Sequence, residues 1–318
     1  MGADTHRPAW KTLFAFFIIY LVWGTTFLAI RVGVQEIPPF LMAAMRFLVA
    51  GGALCAWTIA RGERSPTARQ WIAASAISIF IFVLDYGLLF WAEQRVPSGV
   101  AAVVLALIPL FMALSEIAFL RTQKLTARLS LALLTGIAGV AVLMSRSLNL
   151  SGAPIDRRGA LALIVASMSW SFGSVLTRKL ELPPSKAMSS GAQMLAGGFF
   201  LTLAATALGE FRDFHPLGVS RGAWVALLYL IVFGSIIGFT AYVWLIHHES
   251  PTKVATYAYV NPVVAVVVGY FLGGESLGLR TILGTLFVLT SVVVITSTRA
   301  GNPKAILKVG EAAKAVES

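Results

Sequence analysis

Ten apolar runs, most of them long enough to cross a lipid bilayer and all separated by short polar connections, dictate what this chain can become. They cover residues 12–30, 40–60, 71–91, 96–120, 129–145, 159–177, 187–209, 222–246, 254–274 and 281–298. A helix that spans the hydrocarbon needs about 20 mostly apolar residues, and a helix pairs its own backbone groups where no water can do so. With 58% of its 318 residues hydrophobic and 12% charged, the chain carries more apolar surface than a soluble interior of that size encloses. The surplus must face lipid. The expected fold is all-α and integral to the membrane, with ten transmembrane helices.

Charge then sets the threading. A net charge of +11 would suit a nucleic-acid partner if the cations gathered on one solvated face. Here they are scattered between apolar runs, so no nucleic acid is expected. With the N-terminus inside the cell, sixteen of the 25 Lys and Arg fall in cytoplasmic segments, eight on the opposite side, and Arg46 within a span. That bias places both termini in the cytoplasm. The first run leads into Arg31 without a clear small-residue cleavage site, unlike a removable signal peptide. Cys55 is the single cysteine; it forms no intramolecular disulfide and reads as a small packing residue.

The chain also repeats itself. "WGTTFLAIR", from Trp23 to Arg31, returns as "WSFGSVLTR", from Trp170 to Arg178, and the same offset carries Arg46 onto Gln193. Further on, Pro97 and Pro109 of "VPSGVAAVVLALIPLF" match Pro251 and Pro262 of "SPTKVATYAYVNPVV". Five spans have been duplicated. Because five is odd, the second copy enters the bilayer from the opposite face, the inverted symmetry typical of secondary transporters that rock around a midplane site. The expected organisation is a cytoplasmic segment 1–11, a first repeat 12–147, a second repeat 148–298 and a cytoplasmic tail 299–318.

The segments "WGTTFLAIRVGVQEIPPFLMAAMRF", "SMSWSFGSV" and "SPTKVATYAYVNPVVAVVVGYFLGGESL" resemble the EamA-type transporters of the drug/metabolite transporter superfamily, in particular the YedA-like inner-membrane exporters of bacteria. The resemblance runs from about Trp23 to Ser297. It implies a bundle of two inverted five-helix repeats, a central cavity built mainly from spans one, three, four, six, eight and nine, and export of small metabolites or drugs. It further implies residence in the bacterial inner membrane. The small multidrug members of that superfamily use a glutamate in their first helix; the first span here carries no acid.

Ionisable groups at membrane depth are costly and therefore candidates for function. Arg46 lies roughly 9 Å along the second span from its outer end; it could bind a carboxylate, pair with an acid across the bundle, or snorkel. Asp85, at similar depth in span three, could pair with Arg46, bind a cationic amine or carry a proton. Glu116 lies near the cytoplasmic end of span four and is the second coupling candidate, although a solvated helix end would also hold it. Trp23 and Trp170 sit mid-span, away from the interfaces where tryptophan belts form, and an indole face can stack on aromatic or cationic cargo. Tyr257 and Asn261 are four apart and share a helix face. Thr26, Tyr86, Gln193 and Tyr242 complete the expected lining. Pro109 and Pro262, in corresponding spans, are the expected hinges.

The four histidines, His6, His215, His247 and His248, all fall in connections or at span ends, and no nucleotide-binding loop occurs. Neither an enzyme nor an ATP-driven pump is expected, and no cofactor or metal. The reading is a secondary carrier that exports small metabolites or drugs, such as amino acids or aromatic and amphipathic compounds, across the inner membrane by alternating access, with a proton as coupling ion should an acid such as Asp85 titrate. The alternative is a uniporter or channel-like permease for the same solutes. The lipid bilayer is the other partner, and the chain is expected to act as a monomer or homodimer.

Overall fold

The structure is a computed structural model that describes residues 9–96, 101, 104–143, 156–212, 214–273 and 279–297. The expected C-terminal tail, most of the N-terminal segment, the connection that includes the repeat boundary at 147/148, and Pro97 lie outside the described residues. Those described are helical, with no strand among them. The helices are α1 (Ala9–Gly33), α2 (Pro39–Ala60), α3 (Ala68–Glu93), α4 (Ile108–Leu120), α5 (Ala127–Leu143), α6 (Arg157–Lys179), α7 (Lys186–Ala207), α8 (Arg221–His248), α9 (Tyr257–Gly273) and α10 (Leu279–Ser297). Each of the ten apolar runs thus carries one of these helices. Five of these, α1, α2, α3, α6 and α8, are long and apolar enough to cross a membrane, whereas α4 and α5 are shorter apolar helices. Among the described residues, length and composition therefore mark five crossings where the sequence leads one to expect ten.

Helix boundaries follow from local chemistry. Thr67 and Gln70 form a reciprocal capping box at the start of α3, and Asp156, Ser185 and Ser220 cap α6, α7 and α8 with side-chain oxygens. Pro39 opens α2 at a position where its missing N–H costs nothing.

The packing has the symmetry that the duplication implies. α1 packs on α8 and α9, and α6 packs on α3 and α4; counting five helices onward exchanges the two sets. The second helices of the two repeats, α2 and α7, meet each other, as do the fifth, α5 and α10. Both pairs run antiparallel. Along α2 and α7, Gly198 faces Leu48, Gly51 faces Met194 and Leu195, Gly191 faces Cys55, and Thr58 faces Met188. Cys55 is buried in that contact, a packing residue. Along α5 and α10, Gly136 faces Ser291, Gly139 faces Val288, and Arg128 donates to Ser297. A Cβ on Gly51 would lie 2.5 Å from the backbone nitrogen of Leu195, so the glycines let the helix backbones close on each other, which is how helices adhere where lipid removes the hydrophobic drive. Leu13, Leu28, Val49, Leu161, Phe199 and Val225 are exposed on the outside, as a surface turned to lipid requires.

Wide turns recur in matching places. The third helix of each repeat, α3 and α8, carries a π-helical stretch, Ile79–Gly87 and Leu230–Ile237. Such stretches are rare and gather at functional positions. The fourth spans are interrupted: residues 106–107 break the helix before α4, and Ala255–Thr256 separate a single turn, Pro251–Val254, from α9.

At one end of the bundle, carboxylates from one repeat cap helices of the other. Glu36 accepts from the backbone N–H and the hydroxyl of Ser220, at 2.6 and 2.7 Å, and Glu210 accepts from the N–H groups of Phe40 and Leu41, at 3.3 and 2.8 Å. The Ser220 donors hold the Glu36 carboxyl below the usual carboxylate range, whereas burial pushes Glu210 upward against its two backbone donors.

Candidate functional site

Every residue nominated from the sequence is buried, and the structure brings most of them together. Trp23 of α1 is the hub. Its ring centroid lies 5.6 Å from that of its repeat counterpart Trp170, 5.2 Å from Tyr242 and 4.8 Å from Tyr257. Trp170 continues the cluster to Tyr242 at 4.9 Å and to Tyr86 at 5.8 Å, and Phe239 adjoins both Trp170 and Tyr242. Several contacts are edge-on, the arrangement that sets a positive ring edge against a negative face. Five helices, α1, α3, α6, α8 and α9, contribute to this one aromatic box.

The box is fastened by specific bonds. The Trp23 indole donates to the carbonyl of Gly234 at 3.1 Å, inside the π stretch of α8. Tyr242 and Ser174 share a short hydroxyl contact, and Ser174 donates onward to the carbonyl of Trp170. Thr26 spends its hydroxyl on the Trp23 carbonyl, so it shapes the wall and presents no free donor.

Both signs of charge border the box. Arg46 is 1% exposed; its Nε donates to the Ser235 hydroxyl at 2.7 Å, and its guanidinium lies 4.8 Å from the ring of Phe47 and 5.0 Å from that of Tyr86. Ring faces and one hydroxyl thus replace water around the cation. Its Nη1 has no hydrogen-bond partner among the described residues. Asp85 precedes Tyr86 on α3 and is 4% exposed. The pairing of Arg46 with Asp85 that the sequence allowed is absent: the two form no ion pair, in contrast to Lys253 and Glu249, which meet at 3.9 Å. By hydrogen-bond geometry Trp170 Nε1, which lies beside the Tyr242 hydroxyl, and Asn261 Oδ1 have no partner among the described residues, and they add a donor and an acceptor. A buried polar atom left unpaired costs free energy, so together these groups suit a polar solute held against aromatic walls.

Three nominated residues lie elsewhere. Gln193 of α7 turns along its own helix and donates to Ser189. Glu116, fully enclosed, accepts from Thr122, from the Thr252 N–H and from the Thr252 hydroxyl. Pro109 occupies the first turn of α4, where a proline starts a helix without bending it; the break in that span precedes it. Pro262 sits inside α9, and its missing N–H leaves the Ala258 carbonyl without its intrahelical donor. Ser235, Phe239, Gly234 and Gly238 complete the site, and sequence reasoning singles out none of them. Ser235 was detectable as a lone hydroxyl in the apolar run "VFGSIIGF".

Comparison with known proteins bears directly on this architecture. The model of the EamA-like transporter family matches the chain twice, over residues 10–145 and 157–297. The chain belongs to the EamA-like transporter family. The inner membrane transporter YedA of Escherichia coli strain K12 is 40% identical over 284 residues, covering 89% of each chain. The protein PecM of Dickeya dadantii is 28% identical, covering 86% of this chain and 88% of its own. A solved crystal structure, 21% identical, superposes with a TM-score of 0.72 over 91% of this chain and 98% of its own, a likeness of fold. A membrane transporter of the EamA type is accordingly what these helices build.

Proposed function

We propose that the chain is a secondary carrier of the inner membrane that exports a small amphipathic solute by alternating access, with both termini in the cytoplasm. The observation that carries this reading is the juxtaposition of Asp85 and Arg46, unpaired with each other, at one aromatic box contributed by both repeats. A solute bearing an ammonium and a carboxylate, or a cationic group on a flat ring, would satisfy Asp85, the free Nη1 of Arg46, Trp170 Nε1 and Asn261 Oδ1 while stacking on Trp23 and Tyr257. Antiparallel pairing of α2 with α7 and of α5 with α10 supplies the two-fold relation that lets such a box open first to one side and then to the other. Radiolabelled amino acids and cationic dyes, tested in proteoliposomes with and without a pH gradient, test it. Saturable counterflow of at least one such solute is expected; unsaturable flux would mark a channel instead.

A further inference from the structure

The single turn Pro251–Val254 is a unit of its own. Ser250 caps it by accepting from the Lys253 N–H, Pro251 starts it, and at Ala255–Thr256 the α-helical ladder lapses, the Thr256 N–H and hydroxyl both donating to the Lys253 carbonyl before α9 begins. It is fastened at two points. Thr252 gives both its N–H, at 3.1 Å, and its hydroxyl, at 2.7 Å, to one carboxylate oxygen of Glu116, while Thr122 donates to the other oxygen at 2.9 Å. Thr256, next to Tyr257 of the aromatic box, shares a 2.7 Å hydrogen bond with Tyr20, three residues before Trp23 on α1. The turn therefore lies against the box, at the end of the bundle that the positive charges assign to the cytoplasm.

Glu116 is an expensive residue to bury. It is 0% exposed, and its partners are three neutral donors, each from an element that must stay in place for the carboxylate to remain satisfied. The chain holds this arrangement with local strain: α4 ends in a widened turn, Glu116–Leu120, closed by Arg121 in the left-handed conformation at φ 55° and by its N–H bond to the Glu116 carbonyl. Strained residues persist where surrounding structure over-determines them, often at switches. A contact between the repeats, a helix interruption and a strained anchor thus coincide.

We propose that residues 250–256 form the inner gate of the carrier, a helical turn hinged at Ala255–Thr256 and latched across the two repeats by Glu116. Its role as a gate rests on the carrier reading; the latch itself is open to test without transport. The probe is the rate at which a maleimide modifies a cysteine at Ala255, which is 0% exposed, in Cys55→Ala protein held in nanodiscs with both faces accessible. Glu116→Ala, which removes every acceptor of the latch, is expected to speed labelling by about tenfold or more, the ratio given by losing one or two buried hydrogen bonds to a charged group. Glu116→Gln, which keeps an acceptor oxygen, is expected to lie closer to the unsubstituted rate. Should Glu116→Ala fail to fold, Thr252→Val removes the hydroxyl donor with little change of shape, and the same rise is expected. An unchanged rate in the variant that folds would overturn the latch, as would an equal rise at a control cysteine at Ala223, buried at the other end of the bundle. Solute flux, measured separately on the unsubstituted protein, bears on the carrier reading alone.

Discussion

Trp23 and Gly234, 211 residues apart, are joined by an indole-to-carbonyl hydrogen bond of 3.1 Å that ties the first helix of one repeat to the third helix of the other. The bond requires room on both sides. A Cβ at Gly238 would lie 2.6 Å from Trp23 Nε1 and 3.0 Å from the Phe233 carbonyl, and one at Gly234 would lie 2.8 Å from Arg46 Nη2. The widened turn of α8 and its two glycines thus seat the hub of the aromatic box and the buried guanidinium together.

Gly238→Ala is therefore expected to displace the Trp23 ring, since the neighbouring carbonyl is backbone and cannot yield. Overpacking of this kind costs about 1–3 kcal/mol. Solute affinity measured by equilibrium binding should fall, while Gly52→Ala, where an added Cβ meets nothing within 4 Å, should leave it unchanged.

Ser235→Ala removes the acceptor on which Arg46 Nε depends. An unsatisfied buried charged donor costs about 1–3 kcal/mol or more, so a clear drop in the melting temperature of the detergent-solubilised protein is expected. Because the two side chains share one bond, Ser235→Ala combined with Arg46→Met should destabilise by less than the two single changes added. Strict additivity would show that the bond carries no coupling.

Asp85→Asn keeps size and shape but removes the negative charge at the box. Binding of cationic solutes is expected to weaken by at least about tenfold, equivalent to about 1.4 kcal/mol, with little effect on neutral aromatic ones. Transport that retained its whole dependence on a pH gradient in this variant would exclude Asp85 as the sole proton-coupling group.

The two carboxylate caps outside the spans respond to pH in opposite directions. Glu36 has a folded-state value below the ordinary 4.5, so its contribution is present above that value and is lost as pH falls through the lower one. Glu210 has a folded-state value above it; the folded state holds that proton more tightly, so its contribution declines as pH rises from 4.5 toward the raised value. Melting curves of Glu36→Gln and Glu210→Gln against the unsubstituted protein, taken from about pH 3.5 to about pH 7, should show differences that change with opposite slope.

Much of the scaffold was legible in the chain. Residues 12–30 and 159–177 announce helices by hydropathy alone, and the recurrence of Trp23 and Arg31 as Trp170 and Arg178 announces the duplication. The meeting of Trp23 with Trp170 at 5.6 Å agrees with an inverted repeat whose equivalent helices face its centre. The partners of the charged groups were another matter. Arg46 and Asp85 suggest a salt bridge by depth and sign, yet Arg46 binds Ser235 and two ring faces. Glu116 suggests a wetted helix end, yet it is enclosed by Thr122 and Thr252. Nothing in the residues of 79–87 or 230–237 signals a π turn, and each extra residue in a turn rotates the remainder of the helix by about 100° around its axis.

The amino-acid order determined, unaided, membrane residence, helical content and a two-fold repeat, because hydropathy and self-similarity are properties of a linear string. Tertiary structure alone decided which polar atoms meet, which stay unpaired and where the fourth spans break, because these depend on how each helix is rotated and wound against neighbours hundreds of residues away.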